Sequence, residues 1–195
     1  MLRSKYTRDE IIHNKNYPGA GSVIRAIRGE FDFSKIPPKV LEMETQRGSD
    51  IHDAIEQYIL EGTPFNISQP GLEYEVYFDA FNEWLEKYKP EFLAAELPFI
   101  HHDRLYKGII DCVCKIDGKI VVIDWKTSSN LDVFNARLQQ SLYTLALEEV
   151  FGIVVDEVRV LSITRSGYKY IKLNYDKQLP ISLLYLKGAK DEHDN

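Results

Sequence analysis

Two aspartates and a lysine carry the chemistry that this sequence can do. Lys107 to Ser128 reads Lys-Gly-Ile-Ile-Asp-Cys-Val-Cys-Lys-Ile-Asp-Gly-Lys-Ile-Val-Val-Ile-Asp-Trp-Lys-Thr-Ser. Two β-rich runs, each with a carboxylate near its outer end, flank Asp117-Gly118, a strong hairpin signal. With those two residues at the centre of a type I′ turn, Ile116 faces Lys119, Val113 faces Val122 and Asp111 faces Asp124. Directly opposed Cβ atoms stand roughly 4.5–5.5 Å apart, so like charges there repel unless a positive group lies between them. Strand alternation puts Lys126 on the same face as Asp124 and turns Trp125 the other way. Hard oxygen ligands of this kind suit Mg²⁺ or Mn²⁺, and an open metal site beside a lysine can activate water and offset charge on a phosphoryl centre.

The elements that must position these groups lie on both sides of the hairpin. Upstream, Val40, Met43, Ile51, Ala54, Ile55, Tyr58 and Ile59 recur at three-and-four spacing, which predicts a helix over Lys39 to Leu60 stopped by Gly62 and Pro64. His52 and Glu56 share one face of it, as do Gly48 and His52. A histidine on a helix, taken alone, is more often structural than a ligand. A second helix, Pro70 to Tyr88, carries an aromatic face (Tyr74, Tyr77, Phe78, Phe81, Trp84, Tyr88) opposite Glu75, Asp79, Glu83 and Glu86, the pattern of a core-facing helix rather than a base-stacking stripe. Glu91 to Ile100 reads as a strand bearing Glu96, and the adjacent His101 and His102 after it point apart, which argues against a joint metal site. Downstream, Leu131 to Val150 is a helix carrying Gln139 and Tyr143, which one turn apart also fit a simple polar bridge. Asp156 to Thr164 and Tyr168 to Leu173 form a second hairpin around Arg165-Ser166-Gly167, and residues 176–188 a closing helix. Before all of these, short helices are expected near Thr7 to His13 and Val23 to Ile27.

At 195 residues, 44% hydrophobic and 28% charged, the chain has the length and composition of one soluble α/β domain with a mixed central sheet flanked by helices. We expect an N-terminal extension over 1–37, a core over 38–190 and a frayed tail over 191–195. The longest apolar runs are too short to span a bilayer, so no membrane partner is expected. The chain opens without a charged-then-apolar leader, which predicts a cytoplasmic or similarly reducing compartment. Its two cysteines, Cys112 and Cys114, lie on one strand face, suit core filling, and cannot supply a four-cysteine iron–sulfur cluster. A net charge of −6 at first argues against nucleic acid as a partner. Its distribution tempers that: residues 1–47 carry nine Lys/Arg against six Asp/Glu, while residues 71–103 carry two against eight. The acidic segment either faces away from a nucleic-acid substrate or binds a protein partner. Phosphate-loop, dinucleotide-binding, nucleophile-elbow and His-Glu-x-x-His motifs are all missing, which removes support for the commonest ATPases, Rossmann enzymes and serine or zinc hydrolases.

Gly108-Ile109-Ile110-Asp111 followed by Asp124-Trp125-Lys126-Thr127 resembles the Asp…(Asp/Glu)-x-Lys signature of the PD-(D/E)XK nucleases. Arg47-Gly48-x-x-x-His52 upstream and Gln139-x-x-x-Tyr143 downstream resemble the further motifs of the RecB-type branch, which includes CRISPR adaptation nucleases and the mitochondrial genome-maintenance exonuclease. The likeness runs over about residues 47–173. It implies a restriction-endonuclease-like core, and a metal (Mg²⁺ or Mn²⁺) held by His52, Asp111, Asp124 and the carbonyl of Trp125. In the same reading Lys126 orients or deprotonates the attacking water and stabilises the pentavalent phosphate. Arg47, Gln139 and Tyr143 would contact the nucleic acid, the last two alternatively bracing the catalytic strand, and Glu96 would support the site. The absence of cluster cysteines is most similar to the stand-alone mitochondrial-maintenance and phage-type exonucleases, which implies metal-dependent hydrolysis of single-stranded DNA with a free end in replication, repair or recombination. The alternatives are a double-strand exonuclease of a recombination system and a nuclease fold kept only for DNA binding or assembly.

Overall fold

Asp117 and Gly118 take φ values of 50° and 79°, the two left-handed residues that a type I′ turn requires, and the hairpin they close lies at the centre of the sheet. In this computed structural model, residues 1–29, 34, 36–62 and 74–193 are described, with side chains as far as residue 188. Strands β1 (Glu91–His101), β2 (Tyr106–Ile116) and β3 (Lys119–Lys126) form an antiparallel meander. Helix α5 (Val133–Phe151) then crosses over to bring β4 (Glu157–Thr164) parallel to β3, and β5 (Gly167–Leu173) returns antiparallel at the edge. The result is a five-stranded mixed sheet in the order β1-β2-β3-β4-β5.

Helices cover both faces because the central strands are apolar on both, as a sheet buried twice requires. On one face α3 (Pro38–Glu61) and α4 (Glu75–Tyr88) pack Ile51, Ile55, Phe81 and Trp84 against Cys112, Cys114, Val121, Ile123 and Trp125. Both cysteines are buried and unbridged, as core filling predicts. The indole of Trp84 is fully buried, stacked on Phe81 and edge-on to Trp125 and Tyr170. The acidic side of α4 (Glu75, Asp79, Glu83, Glu86) faces solvent, so its aromatic stripe is core. The part of the expected helix from Pro70 to Glu73 lies outside the described residues.

On the other face α5 packs with α2 (Ala20–Arg28) and α6 (Gln178–His193) over Val113, Val122, Val158 and Val160. The N-terminal residues are part of this layer rather than an appendage to it. Ala20, Val23 and Ile24 are buried in the same cluster, Gly19 bridges to Lys107, and the Lys107 ammonium donates to the carbonyls of Ile11, at the end region of α1 (Arg8–His13), and Asn14. Helix α6 continues to His193 instead of ending near 188, so the stretch from 191 is helical to that point; Gly188 costs such a helix only about 1 kcal/mol and does not have to end it. No helix among the described residues is long and apolar enough to cross a membrane.

Far from the hairpin's open end, Glu157 accepts from Lys119 Nζ (2.7 Å) and Arg159 Nη2 (2.6 Å) and pairs with Lys172 Nζ (3.2 Å). These cations, Lys119 and Arg159 first, hold its carboxyl down at about 2. A depressed carboxyl stabilises the fold above its unfolded pKa, and that contribution disappears as pH falls toward the folded one. With both lysines more than half exposed, solvent screening limits the gain to about 1–2 kcal/mol. Glu157→Gln should therefore lower stability by that amount at pH 7 and by much less at pH 3, read from urea unfolding at the two pH values.

Candidate active site

The β2/β3 ladder keeps the expected register from Ile116↔Lys119 through Val113↔Val122 to Cys112↔Ile123 and stops there. Asp111 and Asp124, the next residues, are therefore not a paired rung. β3 continues beside β4 as far as Lys126↔Ser162, while the Asp111 side chain reaches into the opening and its Oδ2 accepts from the backbone N–H of Trp125 at 2.9 Å. Like charges directly opposite one another destabilise a ladder, and here each carboxylate has its own donor, the Trp125 N–H for Asp111 and the Lys126 ammonium for Asp124.

Glu96 on β1 comes to the same place. Its φ is 44°, a left-handed conformation that strains a residue with a Cβ. It falls between the rungs Ala95↔Cys112 and Leu97↔Ile110, level with Asp111. From the opposite side α3 supplies His52, held beside Ile51 and Ile55, which anchor the helix in the core. His52 Nδ1 lies 3.2 Å from Glu96 Oε1 and 3.9 Å from Asp111 Oδ2, and Nε2 lies 3.2 Å from the carbonyl oxygen of Trp125. Both partners are acceptors, so the ring can place a proton toward each of them, and a metal taken up by the cluster would replace one of these protons. Burial alone would lower the His52 pKa, but Asp111, Glu96 and Asp124 outweigh it and raise it to about 9.

Asp124 and Lys126 form the second half of the site. Asp124 is fully buried; Oδ1 accepts from Lys126 Nζ at 2.8 Å, while Oδ2 has no hydrogen-bond partner among the described residues. Burial, reinforced by Asp111 and offset by Lys126, lifts its pKa to about 6. Burial likewise raises Asp111. Lys126 moves the other way: burial opposes its charge, but Asp124 and Asp111 prevail and raise its pKa above the ordinary lysine value. Lys126 also contacts Gln139 Oε1 (3.4 Å), and Gln139 Nε2 donates to the Tyr143 hydroxyl (3.0 Å). One face of α5 thus reaches the end of β3.

Tyr143 fits because Gly108 has no side chain. A Cβ there would stand 2.8–2.9 Å from ring carbons of Phe99 and Tyr143, closer than atoms tolerate in a packed core. Gly108→Ala should cost about 1–3 kcal/mol, a melting-point drop on the order of 5 °C, and displace the Gln139–Tyr143 pair. A thermal melt unchanged from wild type would contradict this.

The structure thus brings together His52, Glu96, Asp111, Asp124, the Trp125 backbone, Lys126, Gln139 and Tyr143. His52, Glu96 and Asp111 each offer a ligand atom within 4.8 Å of the others. Glu96, a supporting residue in the sequence reading, is a full member of that cluster, and Asp124 is bound to Lys126 beside it. A carboxylate inside an otherwise apolar strand was the available signal. Arg47 stands apart, bonded to Glu44 and stacked on Tyr77 with its guanidinium carbon 5.4 Å from the ring centre. His101 and His102 do point apart, to Glu149 and to the hydroxyls of Tyr6 and Tyr17.

A family model for the PD-(D/E)XK nuclease superfamily matches residues 72–174, more than half of the chain. The chain belongs to that superfamily. Comparison with curated proteins gives no match. Among solved structures, the chain is similar to an alkaline exonuclease (LHK-Exo) from Laribacter hongkongensis, at 10% identity over 96% of this chain and 92% of that one, with a TM-score of 0.52. The same exonuclease in complex with dAMP gives 12% identity, the same coverage and a TM-score of 0.53. At such identities what is shared is the fold. The matched region of this PD-(D/E)XK nuclease contains Glu96, Asp111, Asp124 and Lys126 but not His52, which α3 adds from outside it. Members of the superfamily generally use divalent metals, and the donor set fits one. Three buried carboxylates against His52 and Lys126 leave a negative balance, and an oxygen of Asp124 is uncommitted, so a hard cation would relieve a real electrostatic cost.

Proposed function

We propose that this nuclease is a metal-dependent deoxyribonuclease that hydrolyses phosphodiester bonds from a free end of single-stranded DNA, in replication, repair or recombination. The observation that carries the reading is the cluster of His52, Glu96 and Asp111 within 4.8 Å, beside a lysine whose charge is held by Asp124 (2.8 Å). A purely structural module gains nothing from three buried carboxylates, Glu96, Asp111 and Asp124, on three neighbouring strands. The exonuclease to which the fold is similar favours an end-dependent reaction over internal cutting.

His52, Asp111, Asp124, the Trp125 carbonyl and Glu96 would hold Mg²⁺ or Mn²⁺, which supplies a low-pKa water and neutralises phosphate charge. Lys126, kept protonated by two carboxylates, acts as a donor and counter-charge to the phosphoryl oxygens rather than as the base. Asp111 fixes the Trp125 N–H and thereby the peptide that joins Trp125 to Asp124, while His52 stands at the Trp125 carbonyl. Gln139, engaged at one end by Lys126 and at the other by Tyr143, sets the position of the ammonium and braces β3.

The test is degradation of end-labelled linear single-stranded DNA, with circular single-stranded and blunt double-stranded DNA alongside, in Mg²⁺, Mn²⁺ or EDTA. Loss of the linear single strand alone, dependent on metal and absent in Asp124→Ala, is the expected result, and label position gives polarity. Preferential loss of the duplex would replace single strands with double strands as substrate. Survival of every substrate in both metals would overturn the enzymatic reading.

A further inference from the structure

Beyond Lys126 the chain enters a second polar recess that the catalytic cluster does not use. It is a cavity of about 410 Å³ lined by Arg47, Arg165, Thr127, Ser129, Ser166 and Glu44, with Tyr77 as its wall. Its parts come from α3, the segment after β3 and the turn between β4 and β5, with Tyr77 supplied by α4. Two guanidinium groups and three or more hydroxyls around an open space of this size make a donor-rich surface suited to a tetrahedral oxyanion. Arg47 is largely buried, with 12% of its side chain exposed, and its Nε has no hydrogen-bond partner among the described residues. Its other two nitrogens donate to both oxygens of Glu44, one turn earlier on α3.

Glu44 is the odd member, a carboxylate in a basic pocket. Half of its side chain is exposed, and it sits on a solvent-facing stretch of helix, so it can swing out without disturbing the core. The fork it makes with Arg47 is the geometry that a phosphate would take. Thr127 follows Lys126 directly, and Gly48, next to Arg47, lies one helical turn from His52, with its Cβ position 3.5 Å from Thr127 Oγ1. The recess and the catalytic cluster are therefore neighbours along a single path over the end of β3.

We propose that this recess binds a phosphate group of the nucleic-acid strand beside the one being cleaved, and that Glu44 occupies Arg47 as an internal competitor which the phosphate must displace. This rests on the nuclease reading above. The phosphate is either an internal phosphodiester or a terminal monophosphate, and the experiment separates the two.

Binding of short single-stranded oligodeoxynucleotides to the full chain is measured by fluorescence anisotropy in EDTA, so that no cleavage intervenes. The ligands carry a 5′-phosphate, a 3′-phosphate or hydroxyl ends, with the label on the opposite end. Arg165→Ala, in an exposed turn, should weaken binding about tenfold and reduce the salt dependence by about one phosphate contact. Glu44→Gln should tighten it several-fold, because the competitor loses its charge while Arg47 keeps its stacking on Tyr77. If Arg165→Ala weakens all three ligands equally, the group bound is an internal phosphodiester; if it removes a preference for one phosphorylated end, the group is that terminal phosphate. Wild-type affinity in both variants, or weaker binding in Glu44→Gln, overturns the proposal. Because no cleavage is read, these outcomes are independent of the nuclease test: binding as expected with no hydrolysis would sink only the enzymatic reading, and hydrolysis with unaltered binding only this one.

Discussion

Asp111→Asn is expected to reduce phosphodiester hydrolysis by a thousand-fold or more while leaving the metal-free protein at least as stable as the wild type. The asparagine oxygen can still accept from the Trp125 N–H, now made at 2.9 Å, so the opened end of the ladder keeps its one backbone tie. What disappears is a charge. The folded pKa of Asp111 is raised by burial, and a carboxyl raised on folding stabilises only below its unfolded pKa, a contribution lost as pH rises through the folded value. Once ionised, Asp111 is thus a burden on the fold. His52 keeps its closer carboxylate, Glu96 at 3.2 Å against 3.9 Å for Asp111. Thermal melts in EDTA at pH 8 and cleavage rates in Mg²⁺ check both halves. A large fall in melting temperature would mean that Asp111 is chiefly a structural ligand of Trp125.

Lys126→Ala is expected to abolish cleavage with DNA affinity largely intact, and also to destabilise the protein. Asp124 is 0% exposed, and among the described residues its side chain is hydrogen-bonded by Lys126 alone. Removing the ammonium strands a buried carboxylate, which costs about 3–5 kcal/mol when a partner is lost outright. The penalty has a direction in pH. Asp124 already sits at about 6 with Lys126 present, and without it the value climbs further, so the loss is greatest at pH 8 and shrinks toward pH 5 as the carboxyl protonates. Adding Asp124→Asn to Lys126→Ala should recover most of the stability and none of the activity. Equal loss of cleavage and DNA affinity in Lys126→Ala would instead make this lysine a substrate anchor.

Much of the fold is legible in the chain because the signals are local. The left-handed pair Asp117-Gly118 fixes the hairpin register, and Thr7, Gly62 and Gly152 mark helix ends as caps. The aromatic stripe of α4 announces its buried face. Less legible is the role of residues 1–29, whose weak periodicity conceals that α2 belongs to the main core; its burial depends on partners far along the chain. The left-handed backbone of Glu96 has no sequence signature at all, since any turn-tolerant residue type would have been the better guess.

The sequence by itself determined the superfamily signature, the order of its motifs and the strand face that Asp124 and Lys126 share, because strand alternation and turn chemistry depend only on neighbours in the chain. Tertiary structure decided the rest. It opened the ladder between Asp111 and Asp124, brought Glu96 to His52, kept Lys126 charged, and assembled Arg47 with Arg165 around one recess. Each of these depends on burial and on charges from different elements. Such terms act through space at distances that no spacing in sequence encodes.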